Sequence, residues 1–167
     1  MKRLIPWIVV AALAAAWLAW GRTTDEDRVR RVIEGMARDA SFTGNEGNIA
    51  RVAKVESLVS AFTQDAELHV DQVLPVEASI SGREAIQGML MAGVPHVRSI
   101  RVQVHDVQVT LENQDHARAV LTASASAGGG KGDFNAQEFE FRLVRHEGRW
   151  RVRRVEAVLG FRRPVIR

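Results

Sequence analysis

Two periods divide the chain. Ahead of Pro95 apolar residues mostly recur every three or four positions, and after Val97 they alternate with polar ones. Val29, Val32, Ile33, Met36, Ala37 and Ala40 form one stripe of an amphipathic helix ending near Ser41. Thr23 and Glu26 have capping-box spacing before it, and acidic residues fill the first turn. Gly44 to Asn48 reads as a turn, with Asn48 capping a second helix whose buried face is Ile49, Val52, Ala53, Val59 and Phe62. Ala66 to Asp71 then alternates as a strand, Leu68 and Val70 on one side, Glu67, His69 and Asp71 on the other. After a loop containing Pro75, Ser81 and Glu84 make a second capping box. They open a short helix bearing Ala85, Ile86, Met89 and Leu90, closed by Gly93 and Pro95.

In the second half, Ile100, Val102 and Val104 alternate in one phase and Val107, Val109 and Leu111 in the other. A β-bulge at His105-Asp106 would return both sets to one face. Asn113-Gln114-Asp115 predicts a hairpin turn that sets Ala117, Ala119, Leu121 and Ala123 against Leu111, Val109, Val107 and His105. Gly128 to Gly132 is a flexible tip, without the strand-to-helix setting or the Lys-Ser/Thr ending of a phosphate loop. A second hairpin turns at Glu147-Gly148 and puts Phe139, Phe141 and Leu143 on the face of Trp150 and Val152. Helices followed by a run of antiparallel strands predict an α+β domain.

The N-terminus has its own pattern. Lys2 and Arg3 precede an apolar run from Leu4 to Trp20, broken only by Pro6. As a helix it spans roughly 26 Å, close to the minimum for crossing a bilayer. Trp7, Trp17 and Trp20 lie near its ends, where indoles favour the headgroup level. The expectation is a single-pass helix in the cytoplasmic membrane with the domain facing the periplasm. Cleavage near Ala14-Ala15-Ala16 and secretion is the alternative. The chain thus divides into an anchor or uncleaved signal (1–21), one domain (22–160) and a basic tail (161–167).

Composition narrows the chemistry. The 167 residues carry a formal charge of +3, with Lys2 and Arg3 contributing two of the positive charges. A near-neutral domain whose arginines are not interleaved with stacking aromatics argues against nucleic acid. Without cysteine, disulfides, thiolate metal sites and a cysteine nucleophile are excluded. The histidines, His69, His96, His105, His116 and His146, lack ligand spacing, so neither a metal nor another cofactor is expected.

Three segments carry a family resemblance. Leu58-Val59-Ser60-Ala61-Phe62-Thr63-Gln64-Asp65-Ala66, Ser81-Gly82-Arg83-Glu84-Ala85-Ile86 and Glu147-Gly148-Arg149-Trp150-Arg151-Val152 occur in an order similar to the nuclear transport factor two-like superfamily. That superfamily includes the SnoaL-like and ketosteroid-isomerase-like proteins. The resemblance runs from about Thr23 to Leu159. It implies a cone: a curved antiparallel sheet wrapped around about three N-terminal helices, preceded here by one transmembrane helix. It also implies pairing of two copies through the open sheet.

The superfamily's enzymes use a carboxylate and a phenol inside the cone. This chain has no tyrosine. The candidate pocket residues are His69 with Asp71, which share a strand face, His105 at the bulge, and Arg154 with Glu156. The last two point into the cone if the final strand is regular. With a bulge at Arg153-Arg154, Val155 takes the inward place and Arg154 moves to the surface. The expected function is a non-catalytic, membrane-anchored module that binds a small apolar ligand or assembles with protein. An isomerase-like enzyme using a pocket histidine or carboxylate, or a structural subunit of an envelope complex, are the alternatives.

Overall fold

A computed structural model of the protein describes residues 24–70, 79–128 and 134–158. Helix α1 (Asp25–Asp39) leads to α2 (Asn48–Ser60), then strand β1 (Phe62–His69), short strand β2 (Ser79–Ser81) and helix α3 (Arg83–Gly93). A single 3-10 turn follows, then β3 (Ile100–Leu111), β4 (His116–Ala127), β5 (Phe134–His146) and β6 (Arg149–Ala157). They form one six-stranded sheet in the order β2-β1-β6-β5-β4-β3, curved around the helices as a cone. The expected membrane helix, Asp71 and most of the glycine-rich tip lie outside the described residues. Among the described residues no helix is long and apolar enough to cross a membrane.

The core lies between the helices and one sheet face. Val29, Ile33 and Met36 of α1, Leu58 of α2 and Ile86 of α3 meet Ala117, Ala119 and Leu121 of β4, Leu143 of β5 and Val152 and Val155 of β6. The pattern read from the sequence accounts for most of this. Four details differ, each for a physical reason.

First, the sheet is mixed. β1 runs parallel to β6, with Glu67 opposite Arg154 and His69 opposite Glu156, while the other pairs are antiparallel. Hydrophobic alternation carries no information about strand direction. Phe62 begins β1 instead of ending α2, and Ala61 O accepts from Val152 N at 2.8 Å.

Second, the cap of α1 is Thr24 with Asp27, one residue beyond the expected pair. Thr24 Oγ1 accepts from Asp27 N at 3.2 Å, and Asp27 Oδ2 accepts from Thr24 N at 3.1 Å. Two overlapping Thr-x-x-acid registers have identical spacing. At α3 the N-cap is Gly82, at φ 94, with no side-chain cap, because Ser81 is already paired with Glu67 in the sheet.

Third, α2 docks differently at its start. Ile49 is 88% exposed and Val52 is exposed, while Val55, Leu58 and Val59 are buried. The first turns face the protein with cations: Arg51 donates to Val97 O at 3.0 Å and Arg98 O at 2.8 Å. Lys54 donates to Ser41 O at 2.8 Å and pairs with Glu46 at 2.9 Å.

Fourth, bulges in β3 and β6 set which side chains of those strands face inward. The one in β3 falls at Asp106 (φ 52), between His105 opposite Thr122 and Gln108 opposite Val120. It brings Val104, Val107 and Val109 to the core side as expected, but sets Ala123 opposite Val104, not His105. The one in β6 falls at Arg153, between Val152 opposite Leu143 and Arg154 opposite Arg142. Of the two readings of the last strand, the bulged one holds, with Val155 buried and Arg154 turned to the outer face.

Candidate functional site

Strand alternation and the Arg153 bulge together place Arg154 and Glu156 on the outer face, beside β1. The parallel pairing then sets Glu67 against Arg154 and His69 against Glu156, and β2 sets Ser79 against His69. The resulting cluster is continuous. Arg154 Nε donates to Glu67 Oε2 at 2.8 Å, and Nη2 donates to the same oxygen. Arg154 Nη1 reaches Glu156 Oε1 at 3.1 Å. His69 Nε2 lies 3.3 Å from Glu67 Oε2, and its Nδ1 lies 3.2 Å from Ser79 Oγ.

Three of the expected site residues, His69, Arg154 and Glu156, therefore meet, but around Glu67 and outside the cone. His105 is exposed on the same face, two strands beyond the β5 neighbour of this cluster, and does not join it. It is not in line with Val107 and Val109, because the bulge residue after it is Asp106. Glu67 could have been picked out beforehand as the same-face neighbour of His69 at i−2. Ser79 could not, since its place opposite His69 comes from pairing across a loop.

The charges are held in their ionised forms. Arg154, chiefly by its hydrogen bonds, and then His69 hold the Glu67 carboxyl below its ordinary range. The hydrogen bonds to Glu67 in turn push the Arg154 guanidinium further up. Next to this cluster Glu140, its side chain only 13% exposed, accepts from Arg118 at 2.6 Å and from Arg142 at 3.1 Å. Arg118 foremost holds its carboxyl low as well. Such pairs fix geometry and give a patterned surface, but a proton-transfer base near neutral pH needs a carboxyl shifted upward.

The inner face is different. Its partly covered side chains are mostly apolar, among them Leu68, Val104, Phe139 and Phe141, with Gln137 in the same row of β5 as Phe139. The ionisable group aligned with it is Arg145, stacked 4.9 Å from the Trp150 ring centroid and paired with Asp25. That pairing is the main reason the Asp25 carboxyl is held low. Among the described residues no group of three or more His, Asp or Glu side chains is placed to hold a metal ion.

Known structures share this architecture. An NTF2-like protein with a cystatin-like fold from Novosphingobium aromaticivorans is 18% identical, over 98% of this chain and 94% of its own, with a TM-score of 0.64. An NTF2-like protein of unknown function from Pseudomonas putida is 13% identical over 82% of this chain and 87% of its own, with a TM-score of 0.64. A putative scytalone dehydratase from N. aromaticivorans is 22% identical over 82% and 89%, with a TM-score of 0.56. At these identities the likeness is one of fold. No curated protein matches the sequence. The profile of the SnoaL-like domain family matches residues 52–156, from α2 through nearly all of β6. This stretch holds both bulges and the whole charged cluster, and by that match the chain belongs to the SnoaL-like domain family.

Proposed function

We propose that this SnoaL-like domain is a non-catalytic binding and assembly module, tethered to the cytoplasmic membrane by residues 4–20 and facing the periplasm. The observation that carries the reading is the segregation of polar from apolar groups. The acid–base candidates within the described residues lie outside the cone, tied to one another or exposed, while the inner wall bears apolar side chains. An apolar wall suits a small apolar ligand held without chemistry. The outer face sets Glu67, Glu140 and Glu156 among Arg118, Arg142 and Arg154, a balanced pattern on which a second copy can pair by offset charges.

The test is fractionation of the full chain with a periplasm-dependent reporter after Arg167. The protein should stay in carbonate-washed membranes with an active reporter. A shortened, soluble chain would replace the tether with secretion. Turnover of small carbonyl substrates that His69→Ala abolishes would replace binding with catalysis.

One observation favours a second reading. Ser79, His69 and Glu67 stand in hydrogen-bond sequence, hydroxyl to imidazole to carboxylate, at 3.2 and 3.3 Å. That is the order of groups in nucleophilic hydrolysis. Glu67 is already engaged by Arg154, which weakens it as an orienter of His69. Ester hydrolysis lost in both Ser79→Ala and His69→Ala would establish this reading, and hydrolysis unaffected by either would remove it.

A further inference from the structure

The charged cluster of the outer sheet is balanced, but a groove elsewhere is not. It lies between α1, the end of α2 and the β5–β6 hairpin, and encloses about 460 Å³. Arg28 and Arg31 of α1 and Arg149 and Arg151 of β6 line it, over the buried side chains of Met36 and Trp150. Its acid, Asp39, already accepts from Ser57 Oγ at 2.6 Å. Arg28 pairs with Asp25 at 3.1 Å, and Arg151 donates to Ser60 O at 2.6 Å. Arg31 uses Nε on Asp27 O at 3.2 Å. Among the described residues, Arg31 and Arg149 make no ion pair.

We infer that this groove is the membrane-facing side of the domain and seats the phosphates of anionic phospholipid. The inference rests on the tether proposed above. Fully extended, the chain from Trp20 to Thr24 reaches at most about 14 Å. Arg28 and Arg31 follow within two helical turns, roughly 10 Å along α1. A bilayer holding Leu4 to Trp20 therefore lies within a short swing of the groove. Guanidinium forks match phosphate oxygens bidentately, and juxtamembrane cations gain from a negative lipid surface. The apolar floor suits the glycerol and upper acyl region behind the phosphate.

The experiment uses the full chain in vesicles of phosphatidylcholine, with or without phosphatidylglycerol. Because the chain has no cysteine, His146→Cys gives one fluorophore beside the groove without altering its arginines. Energy transfer to a headgroup-labelled lipid reports docking. Transfer should rise with phosphatidylglycerol and fall with salt. Arg31→Glu with Arg149→Glu should lower the docked-to-free ratio by about an order of magnitude, while Arg101→Glu on the outer face leaves it unchanged. Equal transfer in both lipids, or a double variant that keeps the phosphatidylglycerol response, would overturn the docking while leaving the tether intact. A chain that floats with neither vesicle would overturn both.

Discussion

The two faces of the sheet are written by one alternation and use opposite physics. On the inner face Leu121, Leu143, Val152 and Val155 are almost fully buried, in one apolar cluster with Val29, Ile33 and Ile86 of the helices. On the outer face Glu67, Arg154 and Glu156 stay more than a third exposed and hold each other in ion pairs. Like charges even stand directly opposite across β5 and β6, Glu140 by Glu156 and Arg142 by Arg154, each offset by an opposite charge two residues along its own strand. Stability thus resides on the inner side, and the outer side is free to vary its chemistry.

The separation depends on two single residues, the bulges at Asp106 and Arg153. Deleting Val155 should have the largest effect of any change here. The slip brings Glu156 inward if the bulge stays and Arg154 inward if the strand becomes regular, because one residue exchanges the faces of a strand. Burying either charge should cost more than about 4 kcal/mol and end cooperative unfolding, as followed by circular dichroism in urea. A variant that still unfolds cooperatively would show that the faces are not tied to register.

Smaller changes sharpen the comparison. Leu121→Ala opens a cavity in the inner face and should cost about 3 kcal/mol in urea denaturation. The β5–β6 turn comes next. Glu147 and Gly148 both have positive φ, at 50 and 74, the geometry of a two-residue hairpin turn. Gly148→Val should cost about 1 kcal/mol or more, and Glu147→Asn should recover a few tenths, since asparagine tolerates that conformation better. Thermal melts of the pair, with opposite signs, check this.

How much was legible beforehand follows the same division. The inner face could be read because apolar side chains recur with a period, and even the phase slip at His105-Asp106 marked its bulge. The bulge at Arg153 stayed open, because both Val155 and Arg154 could be given the inward place. Only packing against Phe141 and the core decides for valine. The start of α2 was misread since Ile49 and Val52 look like a buried stripe. The groups that dock there are Arg51 and Lys54, whose partners are backbone carbonyls in distant loops. The candidate site needed pairing that no local pattern contains: β1 parallel to β6, and β2 returning beside His69. His69, Arg154 and Glu156 were found as residues, and their meeting point at Glu67 was not.

The smallest expected effect tests whether the outer face contributes stability at all. Glu140 is its least exposed carboxylate, and two arginines hold it ionised below its ordinary 4.5. A carboxylate whose folded pKa is depressed stabilises the fold above the unfolded value, and that contribution is lost as pH falls through the folded value. Glu67 and Glu46 are shifted in the same direction, Glu46 chiefly by Lys54. Stability should therefore be level near neutral pH and decline below about 4.5. At neutral pH Glu140→Gln should cost no more than about 1 kcal/mol, since pairs that water reaches are weak. Its acid decline should be shallower than that of the parent, because one of the linked protons is gone. Urea titrations at several pH values measure both. Parallel declines would mean that the arginines around Glu140 only pattern the surface, and that the inner face alone holds the fold.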